Sequence, residues 1–423
     1  MKDILILGSG TAGTIMANRL LRVYRQEVAR NVVRITVVDQ DATHVYQPGL
    51  LFIPFGVYQE RDVLRPRRRQ VAEEVRYVQS AIRSLDAMSD TVVLENGERL
   101  SYDVCILATG SHIAPEETEG LLGDEWQKSI FDFYTLAGAT ALAAKLKSWP
   151  GGKLVINVVE NPIKCPVAPL EFAFLADAFF TKRGIRDKVE ITYATPLDGA
   201  FTKPICSQRL SHLLERKRIN LVTEFNAGSV DTEGRRLLSW DEREVPFDLL
   251  VTIPAHKGAS FIAGTPGLGN DMNFVLTNPF TLQARCKPNL FAIGDATDVP
   301  ASKAGSVAHF EAEILTENVR RFLAGEPLEP AFDGHANCFI ETGFDKALLI
   351  DFNYDVEPHP GKFPIPVLGP MTLMEESRLN HLGKLAFKWV YWNLLLPGYD
   401  IPGIQPQMSM RGKQFVTTAE LAT

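Results

Sequence analysis

At 423 residues, 45% of them hydrophobic, the chain is long enough for two or three domains with separate cores. Its net charge of −7 gives no reason to expect nucleic acid as a partner, and no run of eighteen apolar residues offers a membrane-spanning helix. The five cysteines (Cys105, Cys165, Cys206, Cys286 and Cys338) are odd in number, widely spaced and without a CxxC pair, which argues against a disulfide framework and against zinc or a metal cluster.

Met1 leads almost directly into a predicted strand, so no signal peptide is expected. Residues 3–7 read as a short buried strand of a parallel sheet. Gly8, Ser9, Gly10, Thr11, Ala12 and Gly13 follow, and then a helix over about residues 12–25 with Ile15, Leu20 and Val23 inward. A second strand at residues 35–39 ends in Asp39. The glycines differ in what they permit. Gly8 allows a tight turn, Gly10 lets the backbone approach a pyrophosphate, and Gly13 lets helix and strand pack closely. Asp39 is placed to accept hydrogen bonds from an unphosphorylated ribose, as in FAD or NAD.

A loop rich in proline and aromatics follows at residues 44–56, containing Gln47 and Pro48, and then a basic run at 65–69. Alternating segments at 77–82, ending in Ile82, and at 91–94, with a turn at Asn96 and Gly97, predict a small antiparallel meander. The strand beginning at residue 102 ends in Ala108, Thr109 and Gly110. A second α/β unit occupies about residues 113–265, and the chain then returns through Gly294 and Asp295 to a helix at about 306–323. The expected class is α/β, with two Rossmann-like domains. The first is discontinuous, at 1–112 and 266–330, around a second at 113–265. A C-terminal region at 331–423 follows, in which the prolines of 355–370 mark a linker or loop.

The second unit lacks what the first has. Its strand at 154–159 runs into Glu160, Asn161, Pro162, Ile163, Lys164 and Cys165, with no glycine triplet. A thiol stands where a second dinucleotide would dock, which suggests electrons taken from sulfur. Lys164 and the flanking prolines make a rigid, cationic setting expected to favour the Cys165 thiolate. Glu171, at the start of the next helix, could relay protons or simply complement the helix dipole. Cys105 reads as core, Cys286 as a surface turn, and nothing local assigns Cys206.

With Ala108, Thr109 and Gly110 and the late Gly294–Asp295 turn, residues 1 to about 325 resemble two-dinucleotide flavoprotein reductases. Within that superfamily the chain resembles the sulfide:quinone oxidoreductases. The likeness rests on the N-terminal loop, Tyr46–Gln47–Pro48, Lys164–Cys165, Lys303–Ala304–Gly305, Cys338–Phe339 and an aromatic tail. The resemblance implies FAD as cofactor, with Gly294 and Asp295 at its ribityl and phosphate part. It implies that Cys165 and Cys338 are a redox pair on one flavin face and that a quinone lies on the other, against Phe339 and Gly305. It also implies that Lys303 lies near the pyrimidine edge; as a bare lysine it would be solvated surface. Some family members carry a third cysteine that tethers FAD. None occurs here between Cys105 and Cys165, so noncovalent FAD is expected. The rivals are a type II NADH dehydrogenase and a flavocytochrome-type sulfide dehydrogenase subunit.

Residues 383–398 are the most apolar and aromatic part of the tail. Lys384 and Lys388 lie one helical turn apart, Leu385, Trp389, Trp392 and Leu396 follow helical spacing, and Pro397 and Gly398 end the segment. The pattern suits a helix lying in a lipid headgroup layer, with peripheral membrane attachment, or alternatively a core or homo-oligomer interface helix.

Overall fold

Ile4, Leu5, Ile6 and Leu7 are all 2% exposed or less, so this strand is covered on both faces and its sequence is apolar throughout instead of alternating. In the computed structural model, which describes residues 1–366 and 368–417, this strand, Lys2–Leu7, is the centre of a five-stranded parallel sheet. Val33–Asp39 and then Arg76–Gln79 lie on one side of it. Val104–Leu107 and then Leu290–Ala292 lie on the other, so the last strand arrives from far along the chain. Register is continuous across the sheet: Ile4 faces both Ile35 and Val104, and Cys105 faces Leu290.

A second five-stranded parallel sheet has the order Ile130–Phe131, Leu249–Ile253, Gly152–Val158, Val189–Ala194, Ile219–Val222. Helix Ala168–Lys182 follows its central strand and is apolar almost all round; Leu170, Phe172, Phe174 and Phe180 are fully buried. Helix Gly305–Ala324 ends on Gly325, whose φ of +72° is the left-handed cap that glycine supplies. After it come two hairpins, Ala336–Gly343 with Lys346–Phe352 and Gly361–Ile365 with Gly369–Leu373. Helix Arg378–Val390 starts on Ser377, whose side chain accepts from the Asn380 amide, and runs into a π-helical turn at Tyr391–Leu395.

Several expectations change. Val23 is 45% exposed, not inward, because the first helix ends at this residue, past its last buried pair, Leu20 and Leu21. Residues 76–79 pair in parallel with Val33–Asp39 and belong to the main sheet. The meander is instead Ile82–Asp86, Thr91–Leu94 and Arg99–Ser101, with Gly97 at φ +87° in the second turn. The proline-rich stretch 355–370 is not a bare linker, since it forms one strand of the second hairpin and begins the other. The tail helix starts five residues before position 383, and its buried and exposed faces differ from those expected, as described below. Among the described residues no helix is long and apolar enough to cross a membrane.

Candidate active site

The first strand, turn and helix build a cradle. Gly8 has φ +100°, and a Cβ there would lie 2.4 Å from the Ala108 carbonyl oxygen; at Gly13 a Cβ would lie 1.9 Å from the Gly8 oxygen. Only glycine lets the helix start this close to the strand. At Gly10 a Cβ would meet nothing within 4 Å, so that position faces open space. The open space is a cavity of about 630 Å³, lined by Gly8, Gly10, Thr11, Ala12, Asp39, Gln47, Pro48, Ile82, Ala108, Thr109, Gly110, Gly294, Asp295, Lys303, Ala304 and Gly305. Ser9 and Gly13, which the sequence places in the cofactor loop, do not line it, and Gly13 serves the close helix–strand packing expected of it. Ser9 is buried behind the turn, donating its amide to Asp39 at 2.5 Å, and Gly13 is taken up by packing.

Asp39 is held by Arg67 at 2.5 Å, and Arg67 also donates to the Thr43 carbonyl. Of the basic run 65–69, this member lines the cavity. Thr109 Oγ1 and Ser111 Oγ are buried without a hydrogen-bond partner, and both residues border the cavity. Orphaned hydroxyls beside a helix N-terminus whose turn leaves open space fit a bound dinucleotide.

The second unit offers no such cradle. No glycine stands between Gly152 and Gly184, and the turn after strand Gly152–Val158 closes on itself instead. Cys165 adopts φ +46°, a left-handed conformation costing a non-glycine residue roughly 1–2 kcal/mol. The strain is held by three hydrogen bonds. The Cys165 amide donates to the Lys303 carbonyl at 2.7 Å, while its own carbonyl accepts from the Ala168 amide at 2.9 Å and from the Tyr134 hydroxyl at 3.3 Å. This ties the 161–167 turn to the segment preceding helix Gly305–Ala324, and so Cys165 lines the first cradle's cavity. Cys338, on the first hairpin, lines it too, with Phe339 beside it. Both cysteines are free thiols. Cys206 is buried outside the cavity lining, Cys105 is core and Cys286 is exposed.

The electrostatics differ from expectation. Lys164 does not activate its neighbour: its ammonium donates to the Ser111 carbonyl at 3.2 Å, and burial lowers its pKa against the pull of Asp295 and Asp132. Burial, with Glu171 adding, pushes the Cys165 thiol up to about 12, and the cation opposing this is Lys384. Burial raises the Cys338 thiol as well. Glu171 is fully buried. One carboxylate oxygen accepts from the Glu341 amide at 2.7 Å and from the Lys384 ammonium; the other has no partner. Lys384 also donates to the Phe339 carbonyl at 3.2 Å, and Glu341 binds His381 at 3.0 Å. Lys303 is buried, with its ammonium on the carbonyls of Thr297 (2.6 Å) and Asp295 (3.2 Å).

The tail helix therefore belongs to the site. Lys384, Phe387 and Tyr391 line the cavity from one face. The Tyr391 hydroxyl is hydrogen-bonded to Thr11 Oγ1 at 2.8 Å and to His44 Nε2 at 2.6 Å. Burial, with Arg67 adding, lowers His44 to about 3, so this imidazole is neutral. Trp392 and Leu396, in the stripe offered either to lipid or to a core, are buried, and Arg65 stacks on the Trp392 ring at 4.3 Å. Asn18 donates to the Leu396 carbonyl at 2.7 Å.

The sequence reading missed Arg67, Glu341, His381, Lys384, Tyr391 and Glu311. Glu311 accepts from the Gly294 amide at 2.7 Å, and burial raises it to about 7. The i, i+3, i+6, i+10 spacing of His381, Lys384, Phe387 and Tyr391 was the available signal, masked by the apolar residues between. Nothing local marks Arg67 or Glu311.

Residues 2–312 match the pyridine nucleotide-disulphide oxidoreductase family. The chain belongs to that family. Relatives of this disulphide oxidoreductase include the mitochondrial sulfide:quinone oxidoreductases of Schizosaccharomyces pombe and Mus musculus. The first is 24% identical over 412 residues, covering 92% of this chain and 89% of the relative. The second is 22% identical over 404 residues, covering 94% and 87%. The solved sulfide:quinone oxidoreductase of Aquifex aeolicus has the same fold, with a TM-score of 0.74 at 20% identity over 93% of this chain and 92% of that one.

A buried ion pair is fragile to the loss of one member. Lys384→Met is expected to destabilise the protein by about 3 kcal/mol in urea unfolding, because Glu171 keeps an uncompensated charge; adding Glu171→Gln should restore most of that loss. Strictly additive losses would mean the two do not act as a pair.

Proposed function

We propose that this protein is a sulfide:quinone oxidoreductase, with FAD in the glycine cradle, Cys165 and Cys338 as the sulfur-handling pair, and a membrane quinone as electron acceptor. One observation carries the reading: both cysteines line the cavity of the first cradle, while the second α/β unit has no glycine cradle for a nicotinamide dinucleotide. The names of the relatives, matched over nearly their whole length, support it. The missing second cradle counts against a type II NADH dehydrogenase.

Bound in the cradle, FAD supplies a two-electron acceptor that a thiol pair can reduce and a quinone can reoxidise. Gly8, Gly10 and Thr11 would hold the pyrophosphate and Asp39, itself held by Arg67, the ribose. Gly294 and Asp295 would hold the ribityl part, and Lys303, Ala304 and Gly305, on the same cavity, the ring end. In the oxidised pair, hydrosulfide attacks one sulfur of the Cys165–Cys338 disulfide. An S–S bond forms to the incoming sulfur, the old S–S bond breaks, and the other cysteine leaves as thiolate. The product is one cysteine persulfide and one thiolate. Glu171, with its unpartnered oxygen, is placed to take the proton of the incoming sulfur. Phe339, Gly305 and Phe387 form the walls offered to the quinone ring.

The outer face of the 378–390 helix supports membrane attachment. Leu379, Leu382 and Trp389 are exposed, as are Ile365 and Leu368 on the neighbouring hairpin. An apolar face on a helix whose other side lines the cavity would seat the quinone entrance at a lipid surface.

Anaerobic sulfide is expected to bleach the flavin absorbance of the loaded protein, with recovery on adding a short-chain quinone and loss of the response in Cys165→Ser. Fast bleaching by NADH would overturn the assignment. In vesicle flotation, Leu382→Ser/Trp389→Ser should move the protein from the lipid fraction to the bottom of the gradient; unchanged flotation would remove this helix from the attachment surface.

A further inference from the structure

Four titratable groups from three elements meet beside the cysteines. Glu171 comes from helix 168–182, Glu341 from strand 336–343, and Lys384 and His381 from helix 378–390. The Glu171 and Glu341 side chains are each 1% exposed, Lys384 is 12% exposed and His381 17%. Burial thus runs from the cavity, which Glu171 lines, to the protein surface, where His381 holds Glu341 with its Nδ1 3.0 Å from both carboxylate oxygens. Two carboxylates and one ammonium leave this array one negative charge in excess before any thiol ionises. Passing the Cys165 proton to Glu171 keeps that excess unchanged but moves it onto sulfur, in a setting with little water to screen it.

We infer that His381 and Glu341 are the solvent-side end of a buried charge array that sets the pH at which Cys165 becomes a nucleophile. This rests on the assignment of Cys165 as a reacting sulfur. The proton lost when the Cys165 S–H bond breaks forms an O–H bond on Glu171, which lines the same cavity and has one oxygen without a partner. His381, lying on both Glu341 oxygens, offsets that negative charge from the surface side. His381 and Glu341 act through Glu171 and Lys384, so they are positioning residues.

The charges bear this out in direction. Burial raises the Glu341 carboxyl; Lys384 and His381 oppose the shift, and Glu171 adds to it. Burial works to lower Lys384, but Glu171 and Glu341, with Cys165, hold it above the ordinary lysine range. Other charged and titratable groups also border the array. Tyr58, from the loop after residues 47–52, is raised by burial and feels Lys384 and Glu341. The Lys388 ammonium lies 4.1 Å from the Tyr58 ring centre, and Glu376, just before the helix, pairs with Arg216 at 3.5 Å. The contact of His381 with both Glu341 oxygens distinguishes it from these neighbours.

The test reads thiol reactivity and does not need turnover. Flavin-loaded protein, reduced with a phosphine, is alkylated with iodoacetamide from about pH 5 to about pH 10, and the labelling of Cys165 is followed by peptide mass spectrometry. His381→Gln removes this offsetting group and should slow labelling at neutral pH about threefold, moving the profile to higher pH. Glu341→Gln removes an anion and should speed labelling by about the same factor. His381→Lys, with a charge that does not titrate in this range, should keep labelling at least as fast as in the unaltered protein. Thermal melts of each variant show whether the fold is kept. Profiles that stay put, or that move the same way in both glutamine variants, overturn the inference. Sulfide that fails to bleach the flavin overturns the functional reading instead, and leaves these profiles intact.

Discussion

The hydrogen bond from the Cys165 amide to the Lys303 carbonyl fixes the relation between the two halves of the site. In a dinucleotide-binding turn, glycine would leave the head of helix 168–182 open to a phosphate. Here the Cys165 carbonyl accepts from the Ala168 amide, and Cys165 itself sits in a left-handed conformation that only surrounding contacts can hold. The closed turn leans on the segment leading into helix 305–324, which also lines the first cradle. Removing the glycines therefore both closes one cofactor site and delivers a thiol to the other.

Burial then governs the chemistry of that thiol. A cysteine raised to about 12 is protonated and inert at rest. It gains nucleophilic character only when a base and a compensating charge are at hand. Glu171 and Lys384 are the nearest candidates for those roles, and their direct pairing makes the thiol's state depend on a helix more than two hundred residues further along the chain. Such burial keeps the reduced pair from reacting with outside electrophiles, while the oxidised pair is the form that sulfide attacks. The same helix carries Tyr391 to Thr11 and His44, so one tail segment braces both the cradle and the sulfur site.

Much of the cradle was legible in the sequence because its constraints are local. Gly8, Gly10 and Asp39 have fixed roles within one strand–turn–helix–strand unit, and the missing glycines before Cys165 were equally plain. The orientation of charged side chains was not legible. Adjacency placed Lys164 next to Cys165, yet its ammonium turns to the Ser111 carbonyl, and sequence neighbours need not share a side-chain direction where one of them is left-handed. Lys384 read as a headgroup lysine, since helical spacing gives a stripe but not which stripe faces inward. Its partner, Glu171, lies in another element altogether. The 76–79 strand was misassigned for the same reason: alternation predicts a strand but does not choose its neighbour.

Cys165 lines the cavity of the first cradle from a turn that carries no glycines, and the sulfur chemistry proposed for the site depends on that placement. A structure of the flavin-loaded protein reacted anaerobically with sulfide tests it most directly. The prediction is added sulfur on Cys165 or Cys338, facing the flavin ring, with the 161–167 turn still bonded to Lys303. A Cys165 sulfur turned away from the ring, or a nicotinamide dinucleotide bound at the head of helix 168–182 under the same conditions, would contradict it.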